Sequence, residues 1–187
     1  TSSIGQVFRL QAGNWQSEET ASSPVEIRID EFGNKWVRQN NGGVVVFDNN
    51  GQKRTIFHSA GSGNLRGSRA TSMDIDLNGS VWIGTDDGIT EFFDPFSIFN
   101  GADGTFVRDI DGNVVLKDAV VTAITIDGGN RKWLGTRNNG VFLYDDGGEL
   151  LGNFNTENSP LLSNEVLSIS IQPNTGEVFF ATPQGII

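Results

Sequence analysis

A segment built around Trp-x-Gly-Thr recurs along the chain, and this repetition constrains the fold more than any other feature. Four units align: "IDEFGNKWVRQNNGGVVVFD" (29–48), "IDLNGSVWIGTDDGITEFFD" (75–94), "IDGGNRKWLGTRNNGVFLYD" (126–145) and "IQPNTGEVFFATPQGII" (171–187). Their aromatic positions are separated by 46, 51 and 46 residues, a period typical of propeller blades and longer than most helical or leucine-rich repeats. The residues that define the repeat are Trp36, Trp82, Gly84, Trp133, Gly135 and Phe179.

Each unit shows the signals of short antiparallel strands. Apolar Val25, Ile27 and Ile29 alternate with polar residues, and "LSISIQ" (167–172) shows the same period of two, which predicts half-buried strands. Clusters of Gly, Asn and Asp separate the strands and favour tight hairpins. Since no segment of ten or more residues has a helical period, we predict an all-β chain with four strands per unit.

The recurring residues have a packing role in this interpretation. A four-stranded sheet cannot cover both of its faces alone, so the units must stack face to face around an axis. We expect the Trp of the second strand to fill the space between adjacent blades, and the Gly two residues later to permit close approach. The Thr suits the strand end before the turn, and Asp30, Asp76 and Asp127 are expected to cap a turn in each blade.

The predicted fold is therefore an all-β partial propeller of four-stranded antiparallel blades, with about three full blades and two half blades. The predicted units are a half blade at 1–24, blades at 25–70, 71–121 and 122–166, and a half blade at 167–187. Both ends resemble cuts through a longer protein. The half blades could join within one chain into a four-bladed ring, or two chains could form a ring of about eight blades. Open blade faces would expose apolar surface, so we expect self-association.

Charge and hydropathy exclude several partners. The formal net charge is −10 and the isoelectric point is near 4.4, which opposes binding to nucleic acid or to anionic lipid because both need clustered Lys and Arg. No apolar stretch approaches the roughly 18 residues that span a bilayer, so membrane insertion is not expected. The absence of cysteine excludes disulfides and leaves the compartment open.

The consensus I-D-x-x-G-N-x-W-[IL]-G-T-x-x-x-G-[VI]-x-x-[FY]-D resembles the two-component regulator propeller repeat of Bacteroidetes. That repeat builds the periplasmic sensor region of hybrid two-component regulators and PorZ-like surface proteins of type IX secretion. The last unit is more similar to the PorZ-like group, although Arg38-Gln39 and the segment from Phe179 to Thr182 depart from Trp-x-Gly-Thr. The resemblance implies export to the periplasm or the cell surface and a role in secretion or in sensing, without catalytic residues or a cofactor.

The residues themselves give little support for an enzyme. His58, the only histidine, is followed by Ser59, but no orienting carboxylate or strained nucleophile turn is visible. The pairs Asp86-Asp87 and Asp145-Asp146 could in principle hydrolyse or cleave glycosides, yet neighbouring residues of one hairpin seldom converge. We predict a non-enzymatic protein, with a glycosidase or lyase as the third alternative after secretion and sensing.

A short acidic stretch raises the question of a metal. Asp109, Asp111 and Asn113 alternate like the start of a calcium loop, but Val114 and Val120 stand where such a loop has Gly and Glu. A polar hairpin turn is favoured, no metal site is predicted, and a weak calcium site remains open.

Binding can be spread over several blades. In a propeller, the turns between the second and third strands share one face with the connectors between blades, which here are expected at 58–70 and 100–121. Asn, Asp and Arg side chains on that face could hydrogen-bond a glycan, while the alternative is that they only form turns. The partner is predicted to be a protein or a glycan. The candidate ligand-binding residues are Arg38, Asn40, Asn41, Asp86, Asp87, Arg137, Asn138 and Asn139.

Overall fold

The computed structural model describes residues 5–40 and 42–187, and within them the strands form five separate antiparallel sheets. A two-stranded hairpin comes first, three four-stranded sheets follow (the first, second and third blades), and a three-stranded sheet comes last. In chain order the strands are β1 (Gly5–Gln11), β2 (Asn14–Thr20), β3 (Pro24–Ile29), β4 (Lys35–Gln39), β5 (Val44–Phe47), β6 (Lys53–Ile56), β7 (Ala70–Ile75), β8 (Val81–Thr85), β9 (Gly88–Phe92), β10 (Thr105–Phe106), β11 (Val121–Ile126), β12 (Lys132–Thr136), β13 (Val141–Tyr144), β14 (Leu150–Phe154), β15 (Ser168–Ile171), β16 (Val178–Thr182) and β17 (Gly185–Ile186).

The predicted all-β, partial propeller fold is confirmed. In each blade the strands pair in simple sequence order, and the first strand of one blade packs beside the first strand of the next. The blade limits predicted at residues 25, 71, 122 and 167 stay a prediction, and the corresponding sheets begin at Pro24, Ala70, Val121 and Ser168. A 3-10 helix at Pro95–Asn100 interrupts the second blade between β9 and β10. In the described part of the chain, no helix has the length and apolar character needed to cross a bilayer.

The tryptophans fill the spaces between blades, as predicted. Trp36 of the first blade is fully buried and lies 5.3 Å, ring centroid to ring centroid, from Phe92 of the second. Trp82 packs in one apolar cluster with residues of the third blade, Leu134 among them. Trp133 lies 5.8 Å from Phe180 of the last sheet. Each indole therefore packs at the interface between its own blade and the blade that follows it.

A carboxylate holds each of these indoles in place. Asp30, Asp76 and Asp127 accept the indole N–H of the Trp six residues later, at 2.9, 3.1 and 3.0 Å. The other carboxylate oxygen accepts two backbone N–H groups of the turn, for example those of Phe32 and Asn34 at 3.0 and 2.9 Å. We call this arrangement the Asp–Trp clamp. It confirms that the repeated Asp caps a turn, and it adds the contact to the indole.

The last unit replaces both members of the clamp. Gln172 stands at the Asp position, where its side-chain oxygen still accepts turn N–H groups, including that of Thr175 at 2.9 Å. Phe179 stands at the Trp position and is 44% exposed. The side chain of Phe has no N–H to donate, so no carboxylate is needed opposite it. The replacement of Trp by Phe therefore accounts for the replacement of Asp by Gln.

The repeated glycines lie where a neighbouring blade approaches. A Cβ on Gly84 would be 2.9 Å from a methyl carbon of Val121 in the third blade, and on Gly135 it would be 2.8 Å from a methyl carbon of Val166, which precedes the last sheet. The prediction of close approach is confirmed.

The N-terminal hairpin is attached to the first blade. Val7 of β1 packs against an apolar cluster of Val37, Val45 and Phe47. Among residues 5–40 and 42–187, neither strand of the hairpin pairs with the last sheet. Of the two expected arrangements, the closed four-bladed ring within one chain is therefore not the one that this structure adopts.

The hydrogen bond of the Asp–Trp clamp should add to the free energy of unfolding beyond the contribution of the indole's packing. We expect Trp36→Phe to lower the free energy of unfolding by about 2–4 kcal/mol, and Asp30→Asn by about 1–3 kcal/mol. Urea denaturation of both variants and of the double variant should give a coupling of about 1–2 kcal/mol. Trp15→Phe is the control, since Trp15 is 69% exposed. Strict additivity of the two changes would contradict the clamp.

The glycine contacts predict a second pair of variants. Gly135→Ala should lower the free energy of unfolding by about 1–3 kcal/mol, because the added methyl overlaps Val166. Gly128→Ala should change it by less than about 0.5 kcal/mol, since a Cβ there meets no atom within 4 Å. Thermal unfolding of the two proteins checks the difference, and equal effects would show that the blades do not touch at Gly135.

Candidate functional site

A polar cavity lies where the first strands of four sheets meet. Its volume is about 350 Å³. The strands β3, β7, β11 and β15 supply most of its wall, and Arg38 of β4 also faces it. Its lining residues are Val25, Glu26, Arg28, Arg38, Thr71, Ser72, Thr122, Ala123, Ile124, Thr125, Leu167, Ser168 and Ile169. We call it the axial cavity.

Ion pairs beside this cavity link charged side chains of neighbouring blades. Glu26 pairs with Arg38 at 2.8 Å and with Arg28 at 3.0 Å. Arg28 also reaches Asp74 of the second blade at 3.1 Å, and the other oxygen of Asp74 accepts the backbone N–H of Ile126 in the third. The network joins three blades, and of its members Glu26, Arg28 and Arg38 line the cavity.

Hydroxyl groups complete the wall because the first strands are irregular at one shared place. The register of the first and second strands shifts at Val25, Thr71 and Thr122, so each complete blade has a β-bulge at the same position. A bulge redirects the side chain of its extra residue. The Thr71 hydroxyl donates to the Val121 carbonyl of the next blade, and the Thr122 hydroxyl donates to that of Val166.

The predicted ligand-binding residues occupy equivalent turns, and only Arg38 reaches the axial cavity. The turns beginning at Asn40, Asp86 and Arg137 each donate a backbone N–H to the residue that precedes the first strand of their own blade, at 2.9, 3.1 and 3.0 Å. The side chains of Asn40, Arg137, Asn138 and Asn139 are exposed. Asn41 lies outside the described residues. The structure thus puts the described members at one end of the blades, and their role in binding stays a prediction.

Two of these candidates already have local partners. Asp86 accepts the Ser68 hydroxyl at 2.7 Å and the Arg69 N–H at 3.1 Å. Burial raises the pKa of Asp86, but these hydrogen bonds outweigh it and leave the pKa below its ordinary value. Asp87 accepts the backbone N–H of Asp118 at 2.9 Å. Asp86 therefore holds the loop that enters β7, and Asp87 holds the loop that enters β11.

A second cavity lies between the second and third blades, and the Asp145-Asp146 pair lines it. It has a volume of about 350 Å³, and Trp82, Phe106 and Tyr144 form its aromatic walls. Lys132 lines it with only 2% of its side chain exposed, 2.6 Å from Asp146 and 3.4 Å from Asp76. Hydrogen bonding to Lys132 lowers the pKa of Asp146.

Glu91 is the signal that could have located this cavity. It pairs with Trp82 across the sheet, at the position that Val46 holds in the first blade and Leu143 in the third. Burial raises the pKa of Glu91, and a hydrogen bond from Ser80 opposes the shift only in part. Apolar packing at this interface is therefore replaced by ionisable groups beside a cavity.

The remaining sequence candidates have ordinary surroundings. His58 is exposed in its loop. Asp109 accepts the backbone N–H groups of Asp111 and Asn113 at 3.0 and 2.8 Å, which are the contacts of the favoured polar turn. In residues 5–40 and 42–187, no three His, Cys, Asp or Glu side chains come together as a metal site would require.

One loop assignment was wrong. The stretch 100–121 was expected to be a connector between blades, but β10 at Thr105–Phe106 is the fourth strand of the second blade. Residues 100–104 therefore belong to the connection between the third and fourth strands. That connection lies on the opposite face from the predicted ligand-binding turns, because consecutive antiparallel strands turn at alternate ends.

Comparison with known proteins places this geometry among solved propellers. No family model and no curated protein sequence matches the chain. The structure of PorZ, described as an essential bacterial surface component of the type IX secretion system of Porphyromonas gingivalis, aligns over 99% of this chain with 26% identity and a TM-score of 0.81. Extracellular domains of the hybrid two-component systems BT3049 and BT4673 of B. thetaiotaomicron align over 99% of it, with 21% and 19% identity and TM-scores of 0.70 and 0.69.

The chain corresponds to a part of each of these proteins, 29% of the PorZ chain and 26% and 25% of the two extracellular domains. All three are described as surface or extracellular, which confirms the predicted exported location and supports an extracellular role. The structural comparison thus confirms the resemblance that the repeat motif predicted, to the two-component regulator propeller proteins, with PorZ among them.

Proposed function

We propose that the chain is a non-enzymatic recognition or scaffold propeller of the bacterial cell envelope and acts as a PorZ-like component of type IX secretion. The observation that carries this proposal is the alignment with PorZ, which has a TM-score of 0.81, against 0.70 and 0.69 for the sensor domains. Identity of 26% over nearly the whole chain supports a shared role beyond a shared fold.

The contacts of the acidic residues favour a role without catalysis. A glycosidase needs two carboxyl groups that face one bond of the substrate. The carboxylates of Asp86 and Asp87 hold backbone N–H groups of neighbouring loops, while Asp145 accepts the N–H of Glu149 at 2.7 Å and Asp146 is paired with Lys132. These contacts suit structural carboxylates, so a glycosidase or lyase remains the third alternative.

Ligand sensing in a hybrid two-component system is the second candidate function. The axial cavity favours it, because Glu26, Arg28 and Arg38 offer hydrogen-bond donors and acceptors beside the hydroxyl groups of the first strands. Such an array suits a hydroxyl-rich ligand such as a glycan.

Secretion and sensing make different predictions in the native bacterium. If the chain serves secretion, deletion of its gene should reduce type IX cargo at the surface and in the medium by at least about tenfold and leave it in the periplasm, as measured by quantitative proteomics. Complementation with an Arg38→Gln protein should restore secretion. Unchanged secretion in the deletion strain would overturn the proposal, and loss of glycan-induced transcription in the Arg38→Gln strain would establish sensing instead.

We also propose that the isolated chain associates with a second copy through its open blade faces. The hairpin exposes Phe8, Leu10 and Trp15, and the last sheet exposes Phe179 and Ile186, each by 44% or more. Sedimentation equilibrium should give a mass near twice 20.2 kDa at high protein concentration, and Trp15→Ser should shift the equilibrium toward the monomer. A monomeric mass at every concentration would contradict self-association.

A further inference from the structure

An acid stands at a position of the second blade that is apolar and buried in the neighbouring blades. Glu91 of β9 pairs across the sheet with Trp82, whose ring packs toward the third blade. The equivalent side chains, Val46 in the first blade and Leu143 in the third, are buried. Because placing a carboxyl group in such an interface costs free energy that Val or Leu would not cost, packing does not account for Glu91.

Glu91 lines the cavity between the second and third blades, which has the dimensions of a small-molecule site. Its volume is about 350 Å³. Apolar side chains from both sides of the interface form its walls, and they are Trp82, Phe106, Val107, Val115, Leu134 and Tyr144. Apolar walls with a few ionisable groups among them are typical of a site that binds a small organic molecule.

Ionisable side chains of both signs line this cavity, and the carboxyl groups are the more numerous. The four acids are Asp76, Glu91, Asp145 and Asp146, and the two cations are Arg108 and Lys132. The Lys132 ammonium is already engaged, 2.6 Å from Asp146 and 3.4 Å from Asp76. The Arg108 guanidinium donates to the Gly112 carbonyl at 2.7 Å. The lining of the cavity therefore has an excess of negative charge.

The negative charge of Glu91 is compensated only in part. Burial raises the pKa of Glu91, and the carboxylates of Asp76 and Asp146 raise it further. The hydrogen bond from Ser80 and the charge of Lys132 lower the pKa, but they do not restore its ordinary value. Because an opposite charge nearby favours the ionised form of a carboxyl group, a cation beside Glu91 would stabilise it.

Two of the three aromatic walls already hold a cation of the protein. The Lys132 ammonium lies 5.2 Å from the Trp82 ring centroid, and the Arg66 guanidinium lies 5.2 Å from that of Phe106. Both distances suit a cation–π contact. Within the part of the chain that the structure describes, the Tyr144 ring has no such contact. Tyr144 is therefore the aromatic wall that a ligand can use.

These features favour an organic cation over other small molecules. An anion would meet the excess of carboxylates, and Lys132 is already bound to two of them. A sugar or a neutral hydrocarbon would displace water and leave Glu91 without a counter-charge, which costs free energy. We propose that the cavity between the second and third blades binds a small organic amine, whose ammonium group pairs with Glu91 and whose carbon skeleton packs against Tyr144.

The test uses three molecules of nearly the same shape that differ in charge. Phenethylamine carries an ammonium group, 2-phenylethanol is its neutral counterpart, and 3-phenylpropionate is an anion. Binding to the whole chain is followed by NMR through the indole N–H of Trp82, which lines the cavity. Phenethylamine should bind at least about tenfold more tightly than the other two. Its affinity should fall as the pH is lowered through the pKa of Glu91, because protonation removes the charge that the ammonium group needs.

Glu91→Gln is the informative variant, because it keeps the size of the side chain and removes its charge. It should weaken the binding of phenethylamine at least about tenfold and abolish the pH dependence. Glu157→Gln is the matched control, since Glu157 is exposed and does not line the cavity, and it should change neither. Thermal unfolding checks that both variants are folded.

Four outcomes would overturn the proposal. They are the absence of phenethylamine binding, equal affinity for 2-phenylethanol, binding that Glu91→Gln leaves unchanged, and tighter binding of 3-phenylpropionate or maltose, which would assign the cavity to an anion or a sugar. The comparisons made on the unmodified chain decide the question even if Glu91→Gln does not fold. The inference is independent of the proposed role in secretion, because a scaffold and a sensor could both carry such a site.

Discussion

The hydrogen bond between a turn carboxylate and the indole six residues later is the contact on which the rest of the architecture depends. The Asp side chain joins two levels of structure, because one oxygen closes a turn within a sheet while the other orients the Trp that packs against the next sheet. At Asp127, burial raises the pKa of the carboxyl group, but the hydrogen bonds from Trp133 and from the turn outweigh it and lower the pKa. The local hairpin and the packing of adjacent blades are therefore set by a single residue type at a single position.

Departures from this arrangement show which residues depend on one another. In the last unit the acid and the indole are replaced together, by Gln172 and Phe179, and the turn survives because Gln keeps an acceptor oxygen. At the interface between the second and third blades the clamp is intact, yet Glu91 and Lys132 open a cavity beside it. A repeat can thus lose its regular packing without losing its turns, which leaves such interfaces able to acquire other properties.

The blades could be predicted from the sequence because the signal is repeated. The positions of Trp36, Trp82 and Trp133 fix the period, and period-two alternation fixes the strand type. The cavity between the second and third blades was missed, because it depends on which side chains meet across an interface. Glu91 marks the break in apolar packing, but the sequence does not show that Lys132 lies near it. The stretch 100–121 was misassigned for a related reason: β10 is only two residues long, too short for its alternation to be recognised.

The contacts between adjacent sheets also determine the order in which parts of the molecule should unfold locally. Each blade packs on its immediate neighbours, so stability in such an array is a sum of local and nearest-neighbour terms. The second blade has a complete blade on either side, whereas the hairpin of β1 and β2 is attached to the apolar cluster of the first blade through Val7. Amide protons should therefore exchange with solvent along a gradient, fastest in this hairpin and slowest in the strands around Trp36 and Ile83, where the buried cluster is largest.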